Sequence, residues 1–322
     1  MIDINALFAS TDAYKTVACD KRSGRLSHAY LILTADKANI LNYLKILAKS
    51  ILADGDERKE ELIDKGIYAD APVYPASGEV LLKEDIASII EESYLKPIEG
   101  DKKVFILNAG DNIPPTSQNK LLKTLEEPPN GVHILIGATS EFSLLATVRS
   151  RLKKLVIPPY ADEVLFDALK EDCPSEEKLK EAIACGDGTL GKALSLYQDE
   201  NFTESVDAAI DMILNMRTSR NVLEYSVKIS ALKDGLKGFL PVLELIVGEI
   251  SLYYNGGKVS AYGSAMLKKL NGADGFNAGS ATYTADAIAE AQKRLSANGS
   301  EQAVTEWLLF AILEGKHKWQ KL

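Results

Sequence analysis

Cysteine is scarce in this chain: Cys19, Cys173 and Cys185 are the three among 322 residues, far apart and none in a CxxC pair. That excludes a disulfide framework and leaves no nucleus for a zinc site. Three reduced thiols fit a cytoplasmic protein. Long apolar runs are also missing. The most apolar stretch, Phe239 to Tyr254, is interrupted by Glu244 and Glu249 and falls short of the roughly 20 apolar residues that span a bilayer. The stretch Met1 to Lys15 carries Asp3 early and has no basic-then-apolar pattern ending in small residues, so no secretory signal is expected there. Basic charge is short as well: 37 Lys and Arg against 46 Asp and Glu give a net charge of −9. Tight, sequence-independent DNA binding by the chain alone needs clustered Lys and Arg, so this balance argues against it; it does not argue against a modest DNA contact inside a larger assembly.

What is present is an ordinary globular composition, 46% apolar with a mean hydropathy of −0.07, enough to bury cores and to exclude wholesale disorder. At about 150 residues per domain the length predicts two domains, with room for a small third. In the first half, strands alternate with helices. Tyr30-Leu-Ile-Leu33, Val104-Phe-Ile-Leu107 and Val132-His-Ile-Leu-Ile136 are buried-strand candidates. Ile40 to Ala53, Ile86 to Tyr94 and Gln118 to Glu126 have helical spacing, the last stopped by Pro128-Pro129. This order predicts a parallel sheet wrapped by helices. After Val156-Ile-Pro-Pro-Tyr160 nearly every segment has helical periodicity, broken by Gly186-Asp-Gly188, Asn255-Gly-Gly257 and the glycine-rich Asn271 to Ser280. Pro158-Pro159 marks the main boundary and Gln198 to Thr203 a second one.

A parallel sheet of this kind binds nucleotides when the loop after its first strand is glycine-rich, so that backbone N–H groups cradle phosphate beside a lysine and a hydroxyl. Here that loop reads Thr34-Ala-Asp-Lys-Ala-Asn-Ile40. Lys37 is present, but glycine is absent and Asp36 repels phosphate. The second long strand should end in acidic residues that hold magnesium and polarise water. It ends Leu107-Asn-Ala-Gly-Asp-Asn112: Asn108 and Ala109 supply neither a metal-binding anion nor a base, and Asp111 reads as a turn aspartate after a glycine.

The segment Asn119-Lys-Leu-Leu-Lys-Thr-Leu-Glu-Glu-Pro-Pro129 resembles the clamp-loader branch of the AAA+ proteins, the bacterial delta-prime group in particular. Ser27-His-Ala-Tyr-Leu31, Val104 to Asp111, His133 to Thr139 and Thr147-Val-Arg-Ser-Arg151 follow the same pattern in order. The resemblance implies an AAA+ (P-loop NTPase-like) α/β domain over 1–157, a small helical lid over 158–203 and an all-α collar domain over 204–322 that serves assembly. The periodic segments Ala287 to Leu295 and Glu301 to Glu314 would form the final helical pair; Trp307 and Phe310 read as core residues.

The resemblance also implies roles for single residues. Thr139 falls at sensor 1 and reads as a turn residue without a phosphate loop. Gly191, in Gly188-Thr-Leu-Gly-Lys-Ala-Leu194, stands where sensor 2 of active relatives carries arginine. Ser150-Arg151-Leu152 stands at the Ser-Arg-Cys signature, so Arg151 is the expected arginine finger reaching a neighbour's ATP. Arg149 is the competing candidate, and a surface arginine beside Lys153 and Lys154 is the plain alternative. Asp54 to Ser77, where many delta-prime chains carry a zinc module, has no cysteine; neither zinc nor ATP binding is expected. Implied partners are the gamma/tau ATPase subunits and delta, with the sliding clamp and primed DNA reached through the complex. The expected function is that of a non-catalytic subunit of the DNA polymerase III holoenzyme, with no ATPase or polymerase activity of its own. Two other readings stand beside it: an autonomous AAA+ ATPase binding nucleotide through the atypical Thr34 to Ile40 loop, and a solitary DNA-binding protein, which the net charge of −9 disfavours.

Overall fold

The computed structural model describes residues 4–75, 80–200, 202–232, 234–257, 267 and 276–319. They form two compact units, Met1–Asp172 with Thr189–Gly191, and Cys173–Gly188 with Lys192–Leu322. The segment expected as a lid, 158–203, is thus shared between the two.

The first unit is built on strands β1 (Ala29–Leu33), β2 (Val73–Tyr74), β3 (Lys103–Leu107), β4 (Val132–Ala138) and β5 (Lys153–Val156). They pair in parallel in the order β2-β3-β4-β1-β5. Alternate residues of β1 serve opposite faces. Tyr30 and Ile32 join α3 (Ile40–Leu52) in one core, while Leu31 and Leu33 join α5 (Lys83–Ser93) and α6 (Pro115–Glu126) in the other. Both faces are covered, which is why β1, β3 and β4 are continuous apolar runs. The remaining helices are α1 (Ile4–Ala9), α2 (Asp12–Arg22), α4 (Glu57–Asp64), α7 (Ala146–Arg149) and α8 (Asp162–Leu169). The parallel sheet wrapped by helices expected from the sequence is the architecture this half adopts.

Asp54 to Pro75, the described part of the cysteine-free stretch Asp54 to Ser77, forms α4 and β2, and Ala76 and Ser77 lie outside the described residues. Asp70 fastens it. Its buried carboxylate accepts the backbone N–H groups of Ile98 and Glu99 at 2.8 Å each.

Among its described residues the second unit is built of helices and has no strand: α9 (Glu176–Ala184), α10 (Leu190–Gln198, whose first two residues belong to the first unit), α11 (Phe202–Asn215), α12 (Ser219–Ala231), α13 (Gly235–Tyr254), α14 (Ala278–Ser296) and α15 (Glu301–Trp319). Phe202, Ile213, Phe239, Leu243, Ile246, Leu308 and Ile312 share its core. The final pair is longer than its expected spans. It turns at Asn298, whose φ of 59° is the left-handed conformation that ends helices, and Gly299 returns its N–H to the Arg294 carbonyl. Phe310 departs from the core reading: it is 46% exposed, and Trp307 is half-buried beneath the Arg294 guanidinium, 3.8 Å from its ring centroid. Most of the glycine-rich Asn271 to Ser280 lies outside the described residues. No described helix is long and apolar enough to cross a membrane.

Candidate functional site

In an open parallel sheet, ligands gather beyond the carboxyl ends of the strands. The register sets Leu33 of β1 beside Ala138 of β4, and Leu107 of β3 beside Ile136. Three predicted groups therefore leave the sheet at one edge: Thr34 to Lys37 after β1, Asn108 to Asp111 after β3, and Thr139 after β4. Glycine is needed where these segments meet. A Cβ on Gly110 would lie 2.6 Å from the Gly137 carbonyl oxygen, and one on Gly137 would lie 2.2 Å from Ile40.

The loop after β1 folds into a single 3₁₀ turn, Lys37–Asn39, leading into α3. Lys37 is exposed, whereas Asp36 is only 3% exposed. The Asp36 carboxylate accepts the side-chain amide of Asn39 at 2.9 Å, the hydroxyl of Tyr43 at 3.1 Å and the backbone N–H of Gly191 at 3.2 Å. Burial, and then the charge of Asp36, push the Tyr43 phenol far above the ordinary tyrosine range, so it stays a donor. Tyr160, beside it, is raised by burial and by the same carboxylate. The donors that converge after β1 are thus aimed at a resident carboxylate. Gly191 has no room for more: a Cβ there would lie 2.5 Å from Asp36 Oδ1 and 2.6 Å from the Ala38 Cβ.

At the end of β3, Asn108 donates its N–H to the Tyr74 carbonyl at 2.8 Å, and Ala109 is buried. The Asp111 carboxylate is engaged by the backbone N–H of Thr139 at 2.8 Å, that of Ser140 at 3.2 Å and the Ser143 hydroxyl at 3.3 Å. Asp111 and Thr139, singled out separately in the sequence, are direct partners that tie one strand end to the next. Among the described residues no group of three His, Cys, Asp or Glu side chains is placed to hold a metal ion.

The two arginine candidates differ in their surroundings. Arg149 closes α7 with its guanidinium 5.2 Å from the Phe142 ring centroid and 3.9 Å from Glu141, and its Nε is buried with no hydrogen-bond partner among the described residues. Arg151 follows the helix. Its Nη1 donates to the Thr147 carbonyl at 2.6 Å and to the Ser150 hydroxyl at 3.3 Å, its Nη2 to Glu126, and its side chain is one-third exposed. Leu152 is buried behind it. Asn39, Tyr43, Tyr160 and Glu126 were not singled out from the sequence. The spacing Asp36, Asn39, Tyr43, three then four residues, is the one signal that could have found two of them, because polar groups so spaced at the start of a helix can meet.

Residues 10–161 match the family model described as "DNA polymerase III, delta subunit". Over 304 residues, 90% of this chain and 92% of the relative, the chain is 26% identical to DNA polymerase III subunit delta' of Bacillus subtilis (strain 168). It is 27% identical over 189 residues to DNA polymerase III subunit tau of Escherichia coli (strain K12), covering 54% of this chain and 29% of that one. Among solved structures, a DNA polymerase III gamma subunit-related protein of Thermotoga maritima matches with a TM-score of 0.45 and 18% identity, over 93% of this chain and 99% of that one.

Proposed function

We propose that the chain, whose residues 10–161 match the DNA polymerase III delta subunit model and which is similar to subunit delta' over 90% of its length, serves in the clamp loader as a non-catalytic, delta-prime-like subunit that lends Arg151 to a neighbouring ATPase. The observation that carries this reading is the Asp36 carboxylate, buried in the loop after β1 with Asn39, Tyr43 and Gly191 donating to it. A phosphate chain entering there would meet a fixed negative charge whose hydrogen-bond donors are already engaged. Desolvating two anions side by side without a counter-charge is unfavourable. At the neighbouring strand end, Asn108 and Ala109 offer no carboxylate for magnesium or for polarising water, and the carboxylate of Asp111 is held by backbone N–H groups.

Arg151 suits the remaining task. Its guanidinium presents planar donors to phosphate oxygens. Set against the γ-phosphate of an ATP bound to a gamma/tau-type neighbour, it would stabilise the charge that spreads over the oxygens during phosphoryl transfer. The helices of the second unit would supply the collar contacts to gamma/tau and delta, and the sliding clamp and primed DNA would be met through the assembled complex.

The test is the DNA-dependent ATPase of a clamp loader reconstituted from the same organism's subunits with Arg151→Ala in this chain. The loss expected at the served site is on the order of 10³ in kcat, diluted in the steady-state rate by the other sites. An unchanged rate removes Arg151 from this role, and a loss appearing instead with Arg149→Ala transfers the role to Arg149.

A further inference from the structure

We propose that Glu126 is a positioning residue for Arg151, holding the guanidinium in the pose in which it is presented to the neighbour's phosphate; this rests on the reading of Arg151 as the donated group. A guanidinium has five N–H donors. Among the described residues three are engaged: two on Nη1 by the Thr147 carbonyl and the Ser150 hydroxyl, and one on Nη2 by a Glu126 carboxylate oxygen. Two donors remain for phosphate oxygens, enough for a two-point contact.

The frame behind these contacts is stiff. Glu126 is the last helical residue of α6, immediately before Glu127 and Pro128-Pro129, and Thr147 lies in α7. Gln118, buried in α6, locks the two helices together. Its Nε2 donates to the carbonyls of Ile113 at 2.8 Å and Ser143 at 3.0 Å, and its Oε1 accepts the N–H of Leu145 at 2.7 Å, one residue before α7 begins. A long flexible side chain is therefore ordered before it meets its target, so less rotamer entropy is lost on engagement.

Glu126 could act on Arg151 through its charge or through its position. Its side chain is 49% exposed, so water screens its charge while the contact geometry is untouched. Position is the larger effect, which makes the acceptor atom, not the negative charge, the feature that matters.

The experiment uses the reconstituted clamp loader, purified as an assembled complex, and compares kcat and KM for ATP with Arg151→Ala as the reference. Glu126→Ala should lower kcat by on the order of 10- to 100-fold at the served site, the scale for a misplaced reacting partner, and leave KM for ATP unchanged. Glu126→Gln, which keeps an acceptor in place without the charge, should recover most of that loss. Glu126→Asp, which keeps the charge but withdraws the acceptor, should not. The double variant Glu126→Ala/Arg151→Ala should be no slower than Arg151→Ala alone, because the two act as one unit. The proposal is overturned, with the finger reading intact, if Arg151→Ala slows the complex while Glu126→Ala does not, or if Glu126→Ala speeds it. Rescue by Asp and not by Gln overturns it in favour of charge. An unchanged rate with Arg151→Ala overturns the finger reading and this inference with it.

Discussion

The Asp36 carboxylate, in the loop after the first strand, accepts the backbone N–H of Gly191, 155 residues further along the chain, at 3.2 Å. The carboxylate of the loop after β1 and the glycine at the position where the resemblance sets sensor 2 are thus two ends of one contact. An arginine side chain has no place at 191, since even a Cβ would press on Asp36 and Ala38.

Replacing Asp36 by alanine leaves the Gly191 N–H, the Asn39 amide and the Tyr43 hydroxyl without their acceptor in a buried site. The expected cost is about 1–3 kcal/mol, concentrated locally. Hydrogen–deuterium exchange of the full chain should show the peptide containing Gly191 exchanging faster in Asp36→Ala, with α12 to α15 unaffected. Asp36→Asn keeps a carbonyl acceptor and should fall between that variant and the native chain. Unchanged exchange at Gly191 would show that the contact does not hold this segment.

Lys316 of α15 is 3% exposed and donates from Nζ to the carbonyls of Ile213 at 2.6 Å and Met216 at 2.9 Å, at the end of α11. A cation at a helix C-terminus satisfies carbonyls that have no partner in the helix and opposes the negative end of its dipole. Lys316→Met keeps the length of the side chain and removes the donors. It should destabilise the second unit by about 2–4 kcal/mol, read from urea unfolding followed by the fluorescence of Trp307 in the same helix.

Stability should fall as pH drops below neutrality, and His133 of β4 is a source of the fall. Burial, reinforced by the charge of Lys102, lowers its pKa from the ordinary 6.5 despite the hydrogen bond to the Ser27 carbonyl at 2.8 Å. That carbonyl can only accept, so the neutral ring carries its proton on Nδ1. The folded state then binds fewer protons than the unfolded state as pH falls through 6.5 toward the folded pKa. The stabilisation from neutral His133 is complete above 6.5 and is lost across that window. Urea midpoints of the native chain should decline from pH 7 to pH 5 more steeply than those of His133→Gln, which cannot titrate; parallel profiles would contradict this.

The fold was legible where burial imposes a pattern. β1, β3 and β4 lie inside the sheet with every residue buried, so they read as apolar runs bounded by turns. Two strands were not visible. β2 is only Val73–Tyr74, too short to carry an alternation, and β5 is an edge strand in which Lys153, Lys154 and Val156 face solvent. In the site, Asp36 stood out as a charge in the wrong place for phosphate, but its donors did not. Asn39 and Tyr43 look like ordinary residues of an amphipathic helix, and Gly191 contributes only a backbone N–H. The pairing of Glu126 with Arg151 was hidden for a different reason: it joins the end of α6 to the segment after α7, 25 residues away, and no local period links such positions. Phe310 was misread because an apolar stripe counted on a helix does not say how wide the covered face is.

The claim on which the rest depends is that a resident carboxylate, not a nucleotide, occupies the loop after β1. Calorimetric titration of the isolated full-length chain with ATP and magnesium tests it most directly. The account predicts no saturable heat at millimolar ATP. Saturable binding in the micromolar range would contradict it and would favour the reading of this chain as an ATPase with an unfamiliar phosphate loop.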